Sequence, residues 1–134
     1  MEIDPKNFPR DGFLELLGVE VIDLTPERCE VRLEINDTHH QPYGIVHGGL
    51  YCTLAESAAR VGAVMAIGGK PAVGMSNHTD FLRSMREGTI TAVATPIHVG
   101  RSSQLWEVDM TDQEGRKVAQ SKVRLFNLPD GAAD

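Results

Sequence analysis

Apolar positions recur in two rhythms along the chain. From Cys29 the residues alternate, with Cys29, Val31, Leu33 and Ile35 separated by Glu30, Arg32 and Glu34, which predicts a half-buried strand with one wet face. Val19 to Leu24 predicts a strand before it, joined through the turn residues Thr25-Pro26-Glu27-Arg28. After His47-Gly48-Gly49, about eighteen residues run without proline or a strong turn signal and predict the one long helix. Ahead of these, Phe8 to Leu17 reads as a short helical cap in which Phe13, Leu14 and Leu17 make a small apolar face. Beyond Gly68-Gly69-Lys70-Pro71 the pattern is strand-like throughout: Ala72 to Leu82, Thr89 to Val99, Gln104 to Met110 and Lys117 to Leu125. Turns fall at Arg86-Glu87-Gly88, near Gly100 and at Asp112-Gln113-Glu114-Gly115. The expectation is an α+β fold in which an antiparallel sheet curls around one central helix. Residues 1–128 are expected to form a single domain and 129–134 a frayed C-terminal tail.

At 100° per residue, Leu50, Leu54, Ala58, Val61 and Met65 form one stripe that should face the concave side of the sheet. The opposite face carries Gly49, Cys52, Thr53, Glu56, Ala59, Arg60, Ala63 and Ile67. It is mostly small and uncharged, where a solvent-facing helix would be rich in Lys and Glu. With no second helix to cover it, the covering layer is expected to be a second copy of the chain, so a homodimer is the smallest assembly expected.

Composition narrows the function. The 134 residues carry 13 Lys and Arg against 19 Asp and Glu, a formal charge of −6, with a pI near 5.3. That balance argues against nucleic acid as a partner. The N-terminal residues lack a basic segment leading into an apolar core, and the most apolar stretch, Leu50 to Ile67, is broken by Glu56 and Arg60. Neither a secretory signal nor a membrane span is predicted, and a cytoplasmic location is expected. Cys29 and Cys52 match no metal or redox spacing, and His39, His40, His47, His78 and His98 share no ligand spacing, so free thiols and no metal are expected.

Glu56 and Arg60 are the charged residues of a helix otherwise suited to burial. An i, i+4 ion pair is one reading of them. The other is that a charge on such a face costs desolvation and implies a partner or a chemical use, which makes Glu56 a functional candidate. The glycine pair at the helix start leaves unpaired N–H groups, aided by the helix dipole, that suit a developing oxyanion. A sharp turn with tight packing is the alternative. Glu56 lies two turns, about 12 Å, along the axis from Gly48, so one subunit's amide and another's carboxylate can meet in a dimer cleft.

The string Gln41-Pro42-Tyr43-Gly44-Ile45-Val46-His47-Gly48-Gly49, followed by Leu54-Ala55-Glu56, resembles the hotdog-fold acyl-CoA thioesterases. The similar branch is that of the 4-hydroxybenzoyl-CoA and 1,4-dihydroxy-2-naphthoyl-CoA thioesterases. The likeness runs through Asn77 to Ser84, Glu87-Gly88 and His98 to Trp106, and covers Val19 to Leu125.

The resemblance implies a hotdog fold, a dimeric catalytic unit within a tetramer, and hydrolysis of an acyl-CoA thioester to free acid and coenzyme A. No cofactor is implied beyond the coenzyme A of the substrate. It makes Glu56 the catalytic carboxylate, as nucleophile or as general base on water. Gly48 becomes the oxyanion donor, Gln41 the residue beside the reacting carbonyl or water, and His47 the one orienting the loop or thioester. Ser102, Ser103, Arg101 and Arg83 would contact coenzyme A, with Arg60 also placed at the substrate site; ordinary surface polarity is the alternative for the serines and for Arg83 and Arg101. Tyr43, Met75 and Phe81 are candidates for the acyl pocket or for packing. One departure is Arg60, where this branch often has Ser or Thr one turn after the carboxylate. Ser57 does not substitute, being 100° around the helix from Glu56. Arg60 either sits close to Glu56 and favours its ionised form, or points away. The acyl group is expected to be aryl or hydroxynaphthoyl, with medium-chain acyl as the other option. A non-catalytic acyl-CoA-binding module is the alternative function. A hydratase is disfavoured, because Asp37 with His39 and His40 lacks the needed spacing.

Overall fold

The computed structural model describes residues 12–129. A short helix α1 (Gly12–Leu17) is followed by β1 (Glu20–Thr25), β2 (Arg28–Glu34), a 3-10 turn at Asp37–His39, the long helix α2 (Gly48–Ala66), and then β3 (Ala72–Phe81), β4 (Thr89–Val99), β5 (Ser103–Thr111) and β6 (Lys117–Asn127). Each expected element is present, with ends that differ by a few residues. The first four residues of the expected N-terminal helix, and all of the expected frayed tail except Pro129, lie outside the described residues.

The six strands form one antiparallel sheet in the order β1-β2-β4-β5-β6-β3. Hairpin turns explain most neighbours, since β1–β2, β4–β5 and β5–β6 are consecutive. The exception is β3, which follows α2 and lands on the far edge beside β6. The helix therefore crosses the whole concave face, contacting every strand.

Alternation sets which side of each strand meets α2. On β5, Gln104, Trp106, Val108 and Met110 are buried while their neighbours are half-exposed. The core joins these to Leu33, Ile90, Ala92, Val118, Val123 and Leu125 and to the predicted helix stripe of Leu50, Leu54, Ala58, Val61 and Met65. Gln104 ties the layers together, donating to the Ala63 carbonyl at 3.1 Å and to Asn127 Oδ1 at 2.8 Å while accepting from Trp106 Nε1 at 2.8 Å. A buried polar side chain is stable here because its amide oxygen and nitrogen are both partnered.

The helix face needs a correction. Ala59 and Ala63, placed by periodicity on the uncovered side, are fully buried. The curled sheet wraps further around α2 than a flat one would, and the uncovered stripe narrows to Gly49, Thr53, Glu56, Arg60, Val64 and Ile67, all exposed or half-buried. Beside it lies β3, a ten-residue edge strand whose Val73, Met75 and Phe81 are exposed. A long exposed edge of this kind is a template for pairing with another strand.

Candidate active site at the start and middle of the long helix

The loop before α2 is built from its own hydrogen bonds. Gln41 N–H donates to the Ile45 carbonyl at 2.8 Å, its carbonyl accepts from Gly44 N–H at 2.9 Å, and its side-chain oxygen accepts from Tyr43 N–H. Gly44 has φ +76°, a left-handed backbone that suits glycine. Val46 N–H donates to the Met85 carbonyl and His47 N–H to the His39 carbonyl, both at 2.8 Å, so the loop is tied down on two sides.

His47 is the N-cap of α2, its Nδ1 accepting from Gly49 N–H at 2.8 Å. That bond places the ring proton of the neutral form on the exposed Nε2. Gly48 begins the helix, and its N–H has no protein partner among the described residues. A Cβ at Gly48 would lie 2.8 Å from the Phe81 ring, so glycine allows β3 to close over the helix start.

Gln41, Gly48, Tyr51, Phe81 and Arg83 line one cavity of about 310 Å³. Tyr51 is buried, with its hydroxyl unpartnered. Burial pushes the Tyr51 phenol up to about 12, with the Asp112 charge adding to the effect. On the other side of the helix start, Phe13, Leu17, His47, Leu50 and Thr53 line a second cavity of about 320 Å³. The cap helix closes it, held by the buried His39, whose Nε2 donates to the Leu17 carbonyl at 3.0 Å and whose Nδ1 accepts from Asn36 N–H at 2.9 Å.

Glu56 is exposed and faces elsewhere. It borders a cavity of about 240 Å³ with Gly74, Met75, Ser76 and Asn77 of β3. Within one chain, therefore, Glu56 is not brought together with Gln41 and Gly48. The Glu56–Arg60 ion pair allowed by the spacing does not form among the described residues. Half-buried Arg60 instead sits where its charge reaches the Cys29 thiol of β2. Burial drives that thiol up to about 12, with the Asp23 charge adding to it, while Arg28 and, to a smaller extent, Arg60 oppose it.

The expected coenzyme A contacts are divided in the same way. Arg83 lies with Gln41 and Gly48. Arg101 and Ser102 lie at the opposite end of α2, in a cavity of about 480 Å³ shared with Ile67, Lys70 and Asn127. Asn127 fixes that turn, donating to the Gly100 and Arg101 carbonyls at 3.0 and 3.2 Å, while Ser103 begins β5. Tyr43, Met75 and Phe81 are all exposed, with Phe81 in tilted contact with Tyr51 at 6.0 Å between centroids.

A family model described as the thioesterase superfamily matches residues 43–119, more than half of the chain and all of α2. The chain belongs to the thioesterase superfamily. It is similar to the 1,4-dihydroxy-2-naphthoyl-CoA hydrolase of Listeria monocytogenes, 36% identical over 115 residues that cover 85% of this chain and 94% of that one. It is also similar to the proofreading thioesterase EntH of Cronobacter turicensis, 32% identical over 125 residues, 92% of this chain and 91% of that one. A solved thioesterase structure from Haemophilus influenzae superposes with a TM-score of 0.91 at 28% identity, covering 98% of this chain and 96% of the other. The protein is thus a hotdog-fold enzyme, a thioester hydrolase.

Sequence reasoning passed over several residues of this thioesterase that shape the site. Asn77 and Gly74, which the sequence marks only as strand positions, sit against the Glu56 turn. His39, read as a loop residue, is buried. The available signal was local: Asn and Gly are poorly suited to strand interiors, and their presence in β3 marks a close approach by something else.

Proposed function

We propose that the enzyme hydrolyses an acyl-CoA thioester at a site shared by two copies of the chain. The observation that carries this reading is the separation just described, combined with the exposed edge of β3. If β3 pairs antiparallel with its copy along its full length, residue i lies opposite 153 − i, so Thr79 faces Gly74 of the second copy. Glu56 of the second copy, packed on that Gly74, then arrives two residues from the Phe81 that covers Gly48. The same symmetry brings the Arg101–Ser102 end of one helix toward the Arg83 end of the other. One complete site holds Gln41, Gly48 and Arg83 from one chain and Glu56, Arg101 and Ser102 from its partner.

In such a site the free Gly48 N–H donates to the thioester oxygen as it gains negative charge, aided by the dipole of α2. The side-chain amide of Gln41 positions the carbonyl or the attacking water. Glu56 either attacks the carbonyl carbon, expelling the coenzyme A thiolate and leaving an anhydride that water opens, or takes the proton of a water that attacks directly. Both routes consume one water and yield the acid and the thiol. The aryl or hydroxynaphthoyl class is the preferred acyl group, supported by the likeness to the naphthoyl-CoA hydrolase and by the aromatic side chains of Tyr51 and Phe81 at the cavity.

Thiol release from aromatic and aliphatic acyl-CoAs, measured for the native enzyme and Glu56→Ala, tests this. Rapid release from an aromatic ester, lost in the variant, supports the reading. Turnover that survives Glu56→Ala removes it.

A further inference from the structure

The carboxylate of Glu56 accepts no hydrogen bond and makes no ion pair among the described residues. A flexible side chain left to solvent samples several rotamers, so the shape of the surface beside it bears on where the carboxylate lies. Two features of β3 converge on its helical turn.

The first is a notch. A Cβ placed on Gly74 would overlap Glu56 Oε1 and lie 3.2 Å from its Cδ and 3.3 Å from its Cγ. Gly74 is not among the glycines with positive φ, so its backbone conformation does not call for glycine. Space alone does. The β3–β6 register also shifts between Gly74 and Ser76, making Met75 an extra residue beside the carboxylate.

The second is a clamp. Asn77 Nδ2 donates to the Cys52 carbonyl at 2.9 Å. In an α-helix that carbonyl is the acceptor for Glu56 N–H, four residues on. Thr79 Oγ1 donates to Asn77 Oδ1 at 2.7 Å and lies 2.6 Å from Ser121 Oγ. Since the Thr79 proton is committed to Asn77, Ser121 is the donor to Thr79. Ser121 is buried on β6, directly opposite Thr79 in the strand register. A chain of three hydrogen bonds thus runs from the sheet interior to the turn of α2 that carries Glu56, and it fixes the Asn77 amide so that its nitrogen faces the helix.

We propose that Gly74 and Asn77 are positioning residues for Glu56: the notch sets where the carboxylate lies against β3, and the clamp sets the height and rotation of its helical turn. The contact stands on geometry alone; its use in turnover rests on Glu56 being the reacting carboxylate. Holding the side chain by shape leaves both carboxylate oxygens free for water or substrate, and misplacing such a group by 1 Å is costly to rate.

A double-mutant cycle tests the contact whether or not the substrate is known. The full-length native enzyme, Gly74→Ala, Glu56→Ala and the double variant are compared by thermal unfolding. Gly74→Ala should lower Tm by about 3 °C or more when Glu56 is present. It should leave Tm unchanged or raised when Glu56 is Ala, since alanine at a compatible backbone position restricts the unfolded chain. Equal shifts in the two backgrounds overturn the notch.

Turnover then tests its use. With an acyl-CoA that the native enzyme hydrolyses, Gly74→Ala should lose about tenfold or more in kcat while KM moves less than about twofold. Asn77→Asp, which keeps the shape and removes the donor, should lose kcat in the same manner, while Asn77→Gln, which retains an amide, should recover part of it. Native kcat in Gly74→Ala and Asn77→Asp overturns the positioning role. Absence of turnover by the native enzyme on every acyl-CoA tried defeats the proposed hydrolysis and with it the catalytic use of the notch, while the thermal cycle still decides the contact.

Discussion

Gly62 of α2 and Trp106 of β5 meet so closely that a Cβ on the glycine would lie 2.8 Å from the indole ring. Trp106 is fully buried, and its Nε1 is bonded to Gln104, so the ring cannot swing aside without breaking the contacts that join the helix to β5 and β6. This pair sets how deeply α2 settles into the sheet. Gly62→Ala gains helix propensity but overpacks the core, for a net loss of about 1–3 kcal/mol read from urea unfolding. A variant as stable as the native protein would mean that the layers can separate there without cost.

The two cysteines should behave differently. Cys29 is buried, with its thiol held near 12, whereas Cys52 is half-buried on the helix. A thiol reagent at neutral pH should titrate one group in the folded protein and two after denaturation, because the thiolate is the reactive form. Rapid labelling of Cys29 in the native state would contradict the packing of α2 against β2.

Cys29 and Tyr51 also set an alkaline limit. Each keeps its proton in the folded state to about 12, against ordinary values of 9.0 and 10.0. The unfolded chain therefore releases protons first as pH rises, so their stabilisation is complete below about pH 9 and is lost toward about pH 12. Unfolding free energy should fall over that window, and Cys29→Ala should fall less steeply than the native protein. Asp112 works at the other end. Burial raises its carboxyl, but the Arg116 and Glu114 N–H groups and the Arg116 guanidinium outweigh this and hold it below the usual range. Its contribution is present above the unfolded value of 3.8 and is lost as pH falls through the folded one. Asp112→Asn should flatten the acid limb of the stability curve.

The edge of β3 should carry the assembly. Val73 and Met75 are exposed on it in the single chain. Val73→Asp and Met75→Lys place charges where the second copy would pair, and sedimentation should show the mass per particle falling to that of one chain, 14.6 kDa, with turnover lost alongside. A full-sized assembly with both charges present would move the interface elsewhere.

Much of the fold was legible because its signals are local. The alternation around Glu30, Arg32 and Glu34 and the uninterrupted run after Gly48 locate β2 and α2, and the spacing of Gln41, His47, Gly48 and Glu56 points to the family. What the chain hid depends on contacts distant in sequence. Ala59 and Ala63 look uncovered on a helical projection, and only the curl of the sheet buries them. Glu56 and Arg60 have the spacing of an ion pair, yet Glu56 lies against Gly74 while the Arg60 charge reaches toward β2. The notch under Glu56 pairs residues eighteen positions apart on different elements, and no periodicity reports such a meeting.

The most direct test of a site shared between two chains is complementation. Gln41→Ala and Glu56→Ala are each purified, confirmed to be impaired, then unfolded together and refolded as an equal mixture. If each site takes Gln41 from one chain and Glu56 from the other, mixed dimers hold one intact site, and activity should return to about a quarter of the native level. If a single chain supplies both residues, every site in the mixture carries a defect, and activity that stays at the level of the separate variants would contradict the shared site.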